Sequence, residues 1–310
     1  DAIGFGTVAM TLPTADGSAN QVLKTDGGGN LDWVEAGGAG AIDGLSDAKL
    51  GGTDFTGGLS IGHNMTAATL ATAEFNLAVG VTALDALTEG DYNTAVGYNA
   101  LTTNTTGTGN TAIGYDALKA NTIGSYNSAY SMFSLRSNTI GSYNIASGVH
   151  SLYANTEGSY NVASGYHSLK ENLTGSNNTA YGYASLKKNL VSNNTAIGSE
   201  ALFNNTSGTG NTASGSSSLT SNTTASGGTA SGYQSLYFNT EGSNNAAFGY
   251  QSLYANTMGA GNTAIGKDAL KANTEGSNNT AVGYYAGAGD GGNTAITTGA
   301  NNVIVGYQAG

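Results

Sequence analysis

Cysteine is absent from this 310-residue chain, proline and tryptophan occur once each, and only 9% of residues are charged. The missing thiols exclude disulfide staples and thiolate metal sites. A single proline among 49 glycines excludes a collagen-like helix, which needs much proline and glycine at every third position. Scarce charge argues against a disordered chain, which is normally charged or proline-rich. No apolar run approaches the length of a membrane-spanning helix, so no membrane insertion is expected. Bases are few. Residues 1–75 carry nine acids and two bases, residues 76–310 eleven acids and seven bases, for a net charge of −11. That balance predicts no nucleic-acid partner.

What the sequence does contain is one sentence rewritten many times. NTAVGYNALTTNTTGTG, from Asn93, is followed by NTAIGYDALKANTIGSY, from Asn110. Counting the Asn of N-T-A-x-G as position one, copies start at Asn76, Asn93, Asn110, Asn127, Asn144, Asn161 and Asn178. After a one-residue deletion they resume at Asn194, Asn211, Gly228, Asn245, Asn262 and Asn279. These 13 starts lie almost uniformly 17 residues apart. Position three is always Ala (Ala95, Ala112), position nine is Leu (Leu101, Leu118) until Gly287, and position twelve is Asn from Asn104 to Asn273 (Asn104, Asn121). Positions five and fifteen are mostly Gly, and position six is often Tyr.

Glycine at this spacing leaves no room for ten residues of helical periodicity, while T-A-V-G-Y alternates like a short strand that ends in a turn. A 17-residue unit cannot bury an apolar face alone, so copies must stack. The expected fold is all-β: a parallel β-solenoid of about 13 coils, with like residues about 4.8 Å apart in a rod of roughly 60 Å. Ala at position three and Gly at position five share a strand face and imply a narrow interior, which Leu at position nine fills. The Asn columns, with Asn93, Asn110, Asn104 and Asn121 among them, suit turns and can hydrogen-bond to one another along the axis. Glycine at position fifteen supplies positive φ. Positions two and four point outward, and that face is too apolar to leave in water. It predicts self-association, as a homotrimer of rods.

The ends depart from the pattern. Residues 1–35 form a β-rich collar or attachment segment, with turn signals at Asp16-Gly17 and Asp26-Gly27. Residues 36–75 are a glycine-rich connector and entry to the rod, residues 76–292 the solenoid, and residues 293–310 shortened terminal coils. The last coil is expected to shorten because Asn293 follows Asn279 by only 14 residues. The chain then closes on an apolar strand, which predicts continuation by a further module.

Chemistry is sparse, and neither catalysis nor a cofactor is expected. His150 and His167 share position seven in adjacent coils, but that column varies like a surface position and two imidazoles fall short of a zinc ligand set. His63 has no companion. Glu241 and Glu275 share a column two coils apart, at the outer limit for paired glycosidase carboxylates. A Thr column from Thr94 to Thr280 offers an ice-binding array, although Thr also favours strands and the column is interrupted. Tyr153, Tyr237, Phe238 and Tyr254 fall at positions ten and eleven, beside Lys119, Arg136, Lys170, Lys187 and Lys271. Aromatic faces next to polar groups suit sugar rings or protein receptors.

The repeats NTAVGYxAL…NT.GS.N, together with LPTADGSANQVLKTDGGGNLDWV from Leu12 to Val34, resemble bacteriophage tail-fibre proteins. The N-T-A-V/I-G core is also similar to the S-V-A-I-G repeats in the heads of trimeric autotransporter adhesins. This resemblance implies trimers of left-handed parallel β-rolls, and handedness comes from it alone. It implies a virion tail fibre, or an extracellular or cell-surface location. The function expected is a rigid, structural and adhesive rod. Its partners are other copies of itself, other tail or appendage proteins through the N-terminal segment, and a glycan or protein receptor on a host surface. A bacterial cell-surface trimeric adhesin or extracellular filament is the alternative, followed by an ice binder or a polysaccharide depolymerase.

Overall fold

A computed structural model of the chain describes residues 2–5, 8–11, 21–25, 31–35, 48–50, 59–61, 73–289 and 295–310. Near the start, β1 (Ala2–Phe5) pairs antiparallel with β2 (Val8–Thr11), and β3 (Gln21–Thr25) with β4 (Leu31–Glu35). Asp26 and Gly27 lie between β3 and β4, where a hairpin turn was expected; Asp16 and Gly17 lie between two separate pairs, and all four fall outside the described residues, as do His63 and most of the connector.

The rest is a single 16-stranded sheet. It opens with β5 (Ala48–Leu50) antiparallel to β6 (Leu59–Ile61). From β6 onward every pairing is parallel, through β7 (Leu77–Val79) and one three-residue strand per repeat to β19 (Thr280–Val282) and β20 (Val303–Val305). Register is strict, with Ala95 beside Ala112 and Ala112 beside Ala129. The molecule is therefore an all-β parallel solenoid of about 13 turns, with no helix among the described residues.

The interior is thin. Ala at position three and Leu at position nine are fully buried in coil after coil, and no aromatic side chain is buried beside them among the described residues. In the strands the middle residue is buried, while positions two and four are partly or fully exposed. Position eight, either Ala or Ser, completes the wall, and each buried Ser there donates to the carbonyl three residues earlier, as Ser151 does to Gly148 (2.8 Å) and Ser134 to Ser131 (2.8 Å).

The asparagines hydrogen-bond to one another along the axis, as expected. Both columns are buried. Within one coil, Asn110 Nδ2 and Asn121 Nδ2 both donate to the Gly124 carbonyl, at 2.9 and 2.8 Å. Between coils, the Asn110 backbone N–H donates to Asn93 Oδ1 (2.9 Å), and Asn138 Nδ2 to Asn121 Oδ1 (2.8 Å). One carbonyl, in most coils a glycine's, thus closes the coil, and two amide oxygens tie it to its neighbour.

Backbone strain sits elsewhere than the sequence predicts. Position fifteen does not take positive φ. Its glycine is required by contact, since a Cβ on Gly141 would stand 2.4 Å from the Gly158 carbonyl oxygen. Positive φ falls at positions five, seven, nine and seventeen. Position five is a bend just after the strand, not a second residue on the Ala face: Gly165 has φ 136° and meets Gly182 of the next coil. The leucines are more unusual, with φ of 48–55° from Leu84 to Leu270. The left-handed region costs an L residue about 1–2 kcal/mol, whereas full burial of Leu returns about 1.5–3 kcal/mol. Burial wins by a small margin, so this turn forms only where a neighbouring coil covers it.

The last repeat lengthens instead of shortening. Asn302, not Asn293, takes position one of the next coil, and its N–H donates to Asn279 Oδ1 at 3.0 Å. Here Ile296 precedes Thr297, the residue whose carbonyl accepts from Thr274, so an apolar residue replaces Asn at position twelve. Asn273 Oδ1, the top of that ladder, is consequently buried with no hydrogen-bond partner.

Gly228 is the one repeat start without an amide, and it leaves Asn245 no side-chain acceptor beneath it. A Cβ there would lie 3.1 Å from Asn211 Oδ1, at ordinary φ. Gly228→Asn is expected to stabilise the rod by about 1 kcal/mol, from a restored hydrogen bond and lower unfolded-state entropy. Gly141→Ala is expected to destabilise it by about 2 kcal/mol through overpacking. Thermal unfolding checks both signs.

Candidate functional site

Function has to be sought on the outer columns, because the interior is filled by the same few residues throughout. Position seven is not the tolerant surface column that its variety implies. Its residues lie in the left-handed region, and several meet their counterparts in the adjacent coil. Asp116 is buried there, with ion pairs to Lys119 Nζ (3.2 Å) and Arg136 Nε (3.1 Å), and it accepts from Asn99 Nδ2 (2.9 Å). Burial pushes the Asp116 carboxyl up, but hydrogen bonds from Asn99, Arg136 and Lys119 outweigh it and hold the group below its ordinary 3.8. Asp268 repeats the arrangement in a distant coil, with Lys271 Nζ at 2.9 Å.

Between these anchors the column becomes aromatic. Phe133 stacks on His150 at 5.0 Å, and His150 lies 5.3 Å from His167. Tyr153 meets the edge of His150 at 5.1 Å, and His167 lies against Tyr166 at 3.9 Å. Burial, then the charge of Lys170, pushes His150 below 6.5; burial, Lys170, His150 and Lys187 do the same to His167. Among the described residues no group of three or more His, Asp or Glu side chains converges to hold a metal ion.

Tyr153, Tyr237 and Tyr254 at position ten are half-buried, and Phe238 at position eleven is exposed. Tyr237 and Tyr254 stack at 5.5 Å, with Phe238 edge-on to both. Arg136 lies 5.8 Å from the ring centres of Phe133 and Tyr153, and Lys187 lies 5.1 Å from that of Phe203. The structure thus lines up the predicted position-ten aromatics and cations in one column, where Tyr153 meets Arg136. Glu241 and Glu275 instead stand exposed on a different corner, with Met258 in the coil between them. The Thr column runs along the strand face in register, mostly half-buried.

Two polar ladders escaped sequence reasoning. At position sixteen, Ser125 N–H donates to Ser142 Oγ and Ser142 N–H to Ser159 Oγ, both at 3.0 Å. At position thirteen, Thr122 Oγ1 donates to the Thr139 carbonyl at 3.1 Å. The near-constant hydroxyl in each column was the available signal. Position seventeen carries a third unforeseen column, in which Tyr126, Tyr143 and Tyr160 stack at 5.1 and 5.0 Å.

Folding holds the two histidines neutral, so their contribution to stability is complete above pH 6.5 and lost as pH falls through their lower folded values. The unfolding temperature is expected to drop between pH 7 and pH 5, and the drop is expected to shrink in His150→Gln/His167→Gln. Asp116 acts in a separate window: its contribution is present above pH 3.8 and lost below it, and Asp116→Asn removes that acid limb.

No protein-family model matches this chain, and comparison with curated proteins and with solved structures likewise finds no similar protein.

Proposed function

We propose that this chain is the structural shaft of an extracellular fibre, in the manner of a phage tail fibre, built as a homotrimer for attachment to a host surface. The observation that supports it is the outer face of the rod. Columns four and six carry large apolar side chains in most coils, including Tyr98, Tyr115, Tyr181, Tyr183 and Ile197 at 46–53% exposed and Ile113 and Ile265 at 42% and 43%, with serine in their place at Ser214 and Ser216. The sixth-position rings stack along the axis, as Tyr98 on Tyr115 (5.4 Å) and Tyr166 on Tyr183 (5.8 Å). An apolar surface that recurs along most of a rod is a partner surface, and a second and third copy in register would present the same columns to it.

The role is mechanical. Ladders and stacked columns resist bending, and length grows by adding coils. Three chains multiply weak contacts on the exposed edges into useful avidity. The N-terminal hairpins serve to join other appendage proteins, and the position-ten aromatics meet a host glycan or protein. The left-handed winding belongs to the same reading.

Sedimentation equilibrium tests the assembly. Wild type is expected at three times the chain mass. Tyr181→Lys/Ile197→Lys, which puts charge on two neighbouring coils of the apolar face, is expected to shift it to monomer. A wild-type monomer at micromolar concentration contradicts the proposal.

A further inference from the structure

Charge along the solenoid is uneven in a way that its total hides. Residues 76–109 have three acids and no base, and residues 194–310 five acids and two bases, so each stretch carries −3; residues 110–193 have five bases and three acids, +2. The five bases are Lys119, Arg136, Lys170, Lys187 and Lys188. Four of them occupy position ten, with Tyr153 in the middle and Phe203 in the coil after Lys187.

The structure makes this column a straight strip. The carbonyls of Lys119, Arg136, Tyr153, Lys170 and Lys187 each accept the N–H of a residue in the preceding coil, at 2.9–3.3 Å. Successive residues are therefore about 4.8 Å apart, and the cations fall at one-coil and two-coil intervals. Asp116 is the only acid paired within the strip among the described residues, and it holds Lys119 and Arg136 together while neutralising one of the two charges. Lys187 and Lys188 lie over the Phe203 ring, at 5.1 and 5.4 Å. Glu171 adjoins Lys170 at position eleven, and Glu157 stands on the position-fourteen corner.

We propose that the position-ten strip from Lys119 to Phe203 binds a linear acidic polysaccharide laid parallel to the rod axis. Cations at intervals of one or two coils fit a polymer whose carboxylates recur with each sugar ring or every second ring. Tyr153 between the cations and Phe203 at the end of the strip, both half-buried, add apolar surface for the sugar rings. A single-stranded nucleic acid fits less well, since one phosphate per nucleotide asks for a basic groove, and this strip has a net charge of only a few units in an acidic chain. The inference deepens the attachment reading by naming the ligand class, and it rests on column ten, whereas the trimer reading rests on columns four and six.

Calorimetric titration of the full chain with polymannuronate oligosaccharides tests it, with neutral mannan and single-stranded DNA as comparisons. The expected result is salt-sensitive binding of polymannuronate and none of mannan. Lys170→Gln/Lys187→Gln, which leaves the Asp116 pairs intact, is expected to weaken binding by roughly tenfold or more. Lys267→Gln, five coils beyond Lys187, is expected to bind as wild type. Absence of polymannuronate binding overturns the inference, and so does DNA binding of equal strength or an equal loss in Lys267→Gln. Sedimentation of the same samples reports the trimer independently, so the two readings fail separately.

Discussion

A buried amide clamp holds this molecule together. In most coils a position-fifteen glycine carbonyl accepts from two asparagine side chains eleven positions apart, as Gly124 does from Asn110 and Asn121, and the carbonyls of Val191 and Ala225 do the same where that glycine is replaced. The Oδ1 atoms of those asparagines are left for the next coil, where they accept a backbone or side-chain N–H. A buried amide left unsatisfied costs about 1–3 kcal/mol, so a coil with no neighbour is penalised and a stacked one is not. The same logic governs the leucines, whose left-handed backbone is tolerable only when buried. Cooperation between coils thus arises from polar satisfaction as much as from apolar area, which a core of Ala and Leu supplies in modest amount.

Freedom on the outside follows from constraint on the inside. With positions one, three, nine, twelve and fifteen committed to the interior, positions four, six, seven, ten and fourteen can change from coil to coil without disturbing the winding. Variation is still not arbitrary, because each outer residue lies one strand spacing from its counterpart above and below. Rings meet rings, as with Tyr143 and Tyr160; amides meet amides, as with Gln251 and Gln234 at 2.7 Å; and cations gather on a buried carboxylate at Asp116. A patch of chosen chemistry can be written along the rod one coil at a time, which is how a segment of opposite charge arises in an acidic chain.

Much of the fold is legible in the sequence, because a strict period with Ala and Leu columns leaves few alternatives to stacked parallel coils. The outward direction of positions two and four follows from strand alternation alone. Local backbone conformation is less legible. Nothing in a Leu column announces positive φ, since bulky residues avoid it in isolation and accept it here through contacts that only stacking provides. Glycine at position fifteen reads as a turn residue for the same reason, when its actual cause is the carbonyl of the next coil. The end of the rod misleads because N-T-A recurs at Asn293, whereas the ladder resumes at Asn302. As for the candidate site, residue types mark the aromatic and basic edge at position ten, but not its contacts, and the variety of position seven conceals two buried aspartates.

The clamp can be observed directly by hydrogen exchange of asparagine side-chain amides in ¹⁵N-labelled protein. Asn177, Asn193, Asn244 and Asn278, exposed at position seventeen, provide the internal comparison. With the clamp in place, Asn110, Asn121, Asn138 and the other interior amides are expected to exchange as slowly as the protected backbone of the rod, while those four exchange at once. Rapid exchange of both groups alike would contradict it.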